Sequence, residues 1–370
     1  MGGHQLFDAL EEGILPGGIL VGKIQRQLLF VQLFLEAGVG QKAFDLAAEH
    51  EFLALFVVIE RLDTKDVASA NYSGITRLDG NRYAVVSDKE EKSGFRIFTI
   101  DIDTLTGRVL SVTADTLRGF RPTAPRDEES ICYFPESGTL FISGEEDQQI
   151  LEYDTLGQPT GRKLDVPAMF GRSYIQPNRG FEALTYSQAK KLFYAMTESA
   201  LIRDGGSGSL SLRLVSFDEG LRYAGQYAYR MESPTMKQGG RLHLHGVSEV
   251  TALADGRLVV LEREVRIPKG YIGAKARCRL FIVNPGPENA VDEGTDMNSL
   301  PESTYMEKTE IADFTTRLNL LRMNFANYEG MCLGPKLEDG SQVVILLSDS
   351  QDQYAGVLKD WFKTIVIRKE

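Results

Sequence analysis

Beyond residue 50 the chain falls into short runs of β-forming residues, each closed by Gly, Asp, Asn or Pro, with alternation of apolar and polar positions over 95–102. This is the pattern of strands joined by tight turns. The first clear stretch predicts strands over 73–78 and 82–87 around a turn at Asp79-Gly80-Asn81, then strands over 95–102 and 109–112. The same order returns at 130–134, 139–143, 149–153 and 162–166, and again at 182–186, 191–197, 210–217 and 221–229. A fourth unit reads as 248–253, 257–262, 279–283 and 304–313; a fifth, one strand short, as 329–333, 342–348 and 361–367. An isolated β run over 52–62 precedes the first unit and is available to supply the missing strand, tying the two ends of the chain together. Four-stranded units recurring every ~40–55 residues predict an all-β propeller, its blades arranged around a central channel. Five repeats are counted, and a sixth has room in the N-terminal region or between the fourth and fifth units. A β-sandwich would explain the strands but not their phased recurrence.

The domain reading is an appendage over residues 1–50 and one propeller over 51–370. Residues 13–36 are rich in apolar side chains, but Lys23 and Arg26 interrupt them, and no run reaches the roughly 18–20 residues of a spanning helix. Leu28, Val31 and Leu35 recur at helical spacing, so a short helix is expected over 27–37 before Gly38 and Gly40 break it. The stretch reads as a helical appendage, an atypical export region or a misassigned start.

Each unit opens on a variant of one phrase: Tyr72-Ser73-Gly74-Ile75, Glu128-Glu129-Ser130-Ile131, Phe181-Glu182-Ala183-Leu184, Ser248-Glu249-Val250-Thr251 and Tyr328-Glu329-Gly330-Met331. First strands line a propeller's channel, so Glu129, Glu182, Glu249 and Glu329 are expected to converge there, with Ser73 taking the place in the first blade. The second strands end on Asp88, Glu145, Glu198, Glu262 and Asp349, a second acidic tier. Facing carboxylates cannot all stay ionised without a compensating charge. Either a hard cation such as Ca²⁺ sits among them, or some keep protons and serve as acid or base; the structural alternative is that each fastens neighbouring backbone. Arg179 and Arg263 flank the repeat phrases, and a guanidinium fork suits phosphate or carboxylate.

Net charge is −11, which argues against a nucleic-acid partner. Cys132, Cys278 and Cys332 show no paired spacing and read as packing thiols. His243 and His245 alternate as on one strand face and read as polar residues near the fourth blade. Gly17 to Lys23 fits the P-loop glycine spacing, but Ile24 stands where a hydroxyl must follow. No GxSxG nucleophile elbow occurs.

Taken together, Tyr72-Ser73-Gly74-Ile75, the run from Asn178 to Leu184, Gly246-Val247-Ser248-Glu249, the run from Leu258 to Arg263, Asn327-Tyr328-Glu329-Gly330-Met331 and Leu346-Leu347-Ser348-Asp349 resemble the phytase-like family described as "esterase-like activity of phytase". The resemblance spans about residue 65 to 370. It implies a β-propeller, a periplasmic or secreted bacterial protein, and phosphoester or ester hydrolysis. The histidine acid phosphatase motif RHGxRxP is absent. The expected function is a metal-assisted hydrolase of an anionic small molecule. Glu182, Glu249 and Glu329 are the catalytic candidates, Arg179 and Arg263 the substrate-binding ones, and Glu129, Asp88 and Asp349 the Ca²⁺ ligands. The alternative is a non-catalytic propeller that binds a ligand or protein at its mouth, its acidic rings structural.

Overall fold

The computed structural model describes residues 55–58, 67, 70–88, 90–318, 325–349 and 362–368. The helix expected over 27–37 and most of the run 52–62 lie outside the described residues. Of that run, β1 (Leu55–Val58) pairs antiparallel with the last strand of the chain.

Five antiparallel sheets follow one another. The first holds β2 (Tyr72–Asp79), β3 (Arg82–Ser87), β4 (Ser93–Ile102) and β5 (Val109–Ala114), with β6 (Arg118–Phe120) also on β4. The second is β7 (Glu128–Phe134), β8 (Thr139–Gly144), β9 (Gln149–Tyr153) and β10 (Pro159–Lys163). The third is β11 (Phe181–Ser187), β12 (Leu192–Thr197), β13 (Ser211–Asp218) and β14 (Tyr223–Arg230). The fourth is β15 (Leu242–Ala252), β16 (Leu258–Ile267), β17 (Lys275–Val283) and, after an insertion, β19 (Thr309–Arg317). That insertion carries β18 (Ala290–Val291), which adds to β14 of the third sheet. The fifth sheet is β20 (Asn327–Lys336), β21 (Gln342–Asp349) and β22 (Phe362–Ile367), with β1 outermost.

The architecture is a five-bladed propeller. The first strands pack in a closed cycle, β2 on β7, β7 on β11, β11 on β15, β15 on β20 and β20 back on β2. Between each pair of blades lies one apolar cluster. Tyr72, Phe98, Val343 and Phe362 join the last blade to the first, and Phe134, Phe141, Phe181 and Phe193 join the second to the third. The other three seams are built alike. Both faces of a blade meet a neighbour, so inner strands such as β12 and β21 are buried almost end to end, and successive side chains fill the seams on opposite faces. Each inner hairpin turns on a residue with positive φ: Gly80, Gly138, Lys191, Gly256 and Gly340.

The inner strands approach so closely that a Cβ on Gly74 would lie 2.7 Å from the Glu129 carbonyl oxygen, and one on Gly330 would lie 2.8 Å from that of Ser73. Glycine in the motif is therefore a packing requirement of the ring. The three cysteines are free and buried, as expected.

Candidate functional site

All five inner strands slip register at the repeat phrase. Tyr72 opposes Ser87, but Ile75 opposes Val85. Glu128 opposes Gly144, but Ile131 opposes Ile142. Phe181 and Ala183 face Thr197 and Met196; Val247 and Glu249 face Glu262 and Leu261; Tyr328 and Gly330 face Ser348 and Leu347. Each slip is a β-bulge, which re-aims the side chain at that point.

Taking the residue before each bulge as the anchor, the equivalent channel residues are Ser73, Glu129, Glu182, Ser248 and Glu329. This corrects the sequence alignment in the fourth blade, where Ser248, not Glu249, holds the shared phase. The two serines behave alike: Ser73 Oγ donates to the Glu128 carbonyl at 2.7 Å and Ser248 Oγ to the Tyr328 carbonyl at 3.4 Å, each reaching the anchor of the next blade.

Glu249 takes the following position, which elsewhere holds Gly74, Ser130, Ala183 and Gly330. Four small residues leave room on the axis for one long side chain. Glu249 accepts hydrogen bonds from Ser130 Oγ at 3.0 and 2.8 Å, from Leu184 N at 3.0 Å and from Val250 N at 2.9 Å. Ser130 stands in the second blade and Glu249 in the fourth, so the bond crosses the channel. Burial raises the Glu249 carboxyl well above its ordinary range, while those donors pull it back.

The outer tier needs the same correction. Asp88 N, Glu145 N and Glu198 N each donate at 2.8 Å to the carbonyl of the residue before the anchor: Asn71, Asp127 and Gly180. Asp349 faces Asn327 in the same way, but in the fourth blade the residue facing Gly246 is Arg263. The tier is therefore Asp88, Glu145, Glu198, Arg263 and Asp349, four acids and one arginine. Glu262 turns outward instead, accepting from Tyr229 Oη at 2.6 Å, Glu232 N at 3.0 Å and Lys308 Nζ at 3.0 Å.

Arg263 is buried and ties three blades together. It donates to Glu198 Oε1 at 2.9 Å, to Asn327 Oδ1 at 3.1 Å and to Glu329. Arg179, on the loop before β11, donates to the other oxygen of Glu198 and keeps 18% of its side chain exposed. Both arginines thus stand beside the carboxylates and form ion pairs with them.

Around them gather Glu129, Glu182 and Glu145. Burial raises Glu129 well above its ordinary range, and Glu182, Asp88, Glu145 and Asp127 add to the rise. Burial also raises Glu182, aided by Glu198 and Glu145 and opposed by Arg263 and Arg179. Glu145, which accepts from Gly180 N at 2.7 Å, is pushed up to about 7, mainly by burial.

Asp88, Asp127 and Glu129 have carboxylate oxygens within 4.8 Å of one another. Asp349 lies on the outer tier but not in this trio. Asp127 had no place in the alignment because it precedes the repeat phrase; its one sequence signal is the acidic run Asp127-Glu128-Glu129, and in the structure its backbone is left-handed at φ 53°, which Asp tolerates better than most residues. Oxygen-only donors in a trio of carboxylates suit a hard cation such as Ca²⁺.

His243 Nε2 lies 3.0 Å from Glu264 Oε1, and Glu264 also accepts from Thr235 N and Met236 N. His245 is partly buried, and that burial lowers its affinity for a proton. The clefts beside the mouth hold about 10 Å³ each, one bordered by Arg126 and Asp127, another by His245 and Arg263. A far larger cavity of about 700 Å³ opens at the other end of the inner strands.

The model of the Phytase-like family, "Esterase-like activity of phytase", matches residues 68–351. No curated protein matches the chain. Among solved structures, the PQQ-bound form of aldose sugar dehydrogenase from Streptomyces coelicolor is similar over 86% of this chain and 100% of its own, at 13% identity and a TM-score of 0.41. A duf4221 family member from Bacteroides vulgatus is similar over 86% and 98%, at 10% identity and a TM-score of 0.39. Among the described residues, no helix is long and apolar enough to cross a membrane.

Proposed function

The chain belongs to the Phytase-like family, and from that premise we propose that its acidic mouth hydrolyses a phosphoester or carboxylic ester of a small anionic molecule. The observation that carries the proposal is charge. Asp88, Asp127, Glu129, Glu145, Glu182, Glu198, Glu329 and Asp349 stand on or beside the two tiers, and among the described residues the guanidinium groups of Arg179 and Arg263 pair with Glu198 and Glu329. So many buried carboxylates call for added positive charge or for protons.

Asp88, Asp127 and Glu129 would hold Ca²⁺, with Asp349 beside them on the outer tier. A bound Ca²⁺ would offset substrate charge and polarise the oxygen of the bond to be cleaved. Arg179, the more exposed arginine, meets an incoming anion first, and Arg263 holds Glu198 and Glu329 in place behind it. Glu145 exchanges its proton near neutrality, which suits transfer to a leaving group or from water. Glu182 and Glu329 border the same space and are the further acid–base candidates. Glu249 acts below them as the fastening across the axis. Membership of a mostly exported family supports a periplasmic or secreted setting.

The test is phosphate release from phytate and an aryl phosphate, with cleavage of an aryl ester alongside, in Ca²⁺ and in EDTA. Turnover that needs Ca²⁺ and is lost in Glu182→Gln at unchanged Tm supports the reading. No turnover under any metal condition sinks it. A second reading, a propeller that binds without catalysis, draws support from the small size of the two clefts described beside the mouth, each with room for about one water. On that reading Glu182→Gln lowers Tm and changes no reaction.

A further inference from the structure

The end of the channel away from the acids has a different character. Two residues beyond the axial layer, each inner strand presents Thr76, Cys132, Thr185, Thr251 or Cys332 to the cavity of about 700 Å³. That volume lies in the range of small-molecule sites. Thr76 Oγ1 accepts from Tyr133 N at 3.2 Å and Thr185 Oγ1 from Ala252 N at 3.1 Å, so both hydroxyl protons are left to donate inward.

Wider out stand Arg77 and Lys336. The Arg77 guanidinium is held by the carbonyl oxygens of Gly80 and Gly334, which leave its charge uncancelled. Lys336 is exposed. No carboxylate lines this funnel among the described residues, on a chain whose net charge is −11. Tyr186 turns its hydroxyl to Glu219, 2.7 Å away, and so offers the funnel its ring; Tyr133 and Leu333 add apolar wall. Glu249, bonded to Ser130 and Leu184 across the axis, divides the funnel from the acidic mouth.

We propose that this funnel is a second binding site, separate from the mouth, for a small organic anion with an aromatic or apolar body. Cations and hydroxyl donors in a concavity whose wall carries no carboxylate among the described residues favour the anion, the Glu249 carboxyl at its floor being engaged by Ser130, Leu184 and Val250, and the apolar wall favours the body.

Anilinonaphthalene sulfonate and its uncharged counterpart phenylnaphthylamine serve as probes, titrated by fluorescence against the full chain in EDTA. The sulfonate is expected to bind at one site about tenfold tighter than the neutral compound. Lys336→Glu, at an exposed position, should remove most of that preference at unchanged Tm. A sulfonate that binds no tighter than its neutral counterpart, or whose preference survives Lys336→Glu, overturns the proposal. Because the binding is read in EDTA and without turnover, it stands or falls apart from the hydrolase reading.

Discussion

Substituting Glu145 tests the electrostatics of the mouth most directly. Its carboxylate follows β8 and accepts the Gly180 N–H at 2.7 Å. Burial, with the charges of Glu198 and Asp127, lifts it from the ordinary 4.5 to about 7, against the pull of the Gly180 N–H and Arg179. The folded chain therefore holds this proton more tightly than the unfolded chain. The stability it contributes is full below about pH 4.5 and is lost as pH rises through about 7. At about 1.4 kcal/mol per tenfold, the loss is about 3 kcal/mol. Glu145→Gln keeps an oxygen for Gly180 and removes the titration. From about pH 5.5 to about pH 8 the variant should gain about 2 kcal/mol on the parent, or roughly 4 °C in Tm, the rest of the difference having opened between about pH 4.5 and about pH 5.5. Thermal unfolding by circular dichroism, in EDTA at both pH values, measures this. A stability difference that is the same at both pH values, or a variant less stable at the higher one, would refute the reasoning.

Three further outcomes follow from the same geometry. Arg263→Met leaves Glu198 and Glu329 buried without their shared partner and should cost about 3–5 kcal/mol, part of it recovered by adding Glu329→Gln; urea denaturation of the single and double variants reads both. Glu249→Ala strips acceptors from Ser130 Oγ and Leu184 N and should cost about 2–4 kcal/mol, whereas Glu249→Gln, which keeps an oxygen, should cost less in the same melts. Gly74→Ala forces a Cβ to within 2.7 Å of the Glu129 carbonyl and the Ser130 Cα and should cost about 1–3 kcal/mol; Gly208→Ala, with nothing within 4 Å, should leave Tm unchanged.

The ring was legible in the sequence because its parts repeat. Short β runs and a turn recur in each blade and a small residue at the tight approach in four of the five, and Gly74 and Gly330 fill equivalent places for one steric reason. The fourth blade was harder to read. The strand expected over 304–313 lies at Thr309–Arg317, because the preceding insertion crosses to the third blade. There Arg213, buried with Asp204, donates to the carbonyls of Asp292 and Thr295. No periodicity announces a contact of that kind.

The register of the acids was hidden for a related reason. A bulge adds a residue without changing the apolar pattern on either side of it, so Ser248-Glu249 could pass for the phase of Phe181-Glu182 until the cross-strand partners were known. The one-residue difference has chemical consequences. It brings Arg263 rather than Glu262 into the outer tier, giving the ring a cation that holds Glu198 and Glu329. It also moves Glu249 off the mouth and onto the axis, where it closes the channel. With Glu249 on the axis, the acid-rich mouth and the funnel, whose wall carries no carboxylate among the described residues, become two compartments of opposite character. On the two proposals made above, a cation would occupy the first and an anion the second, and a ligand of one should leave the other's occupancy unchanged unless it moves Glu249.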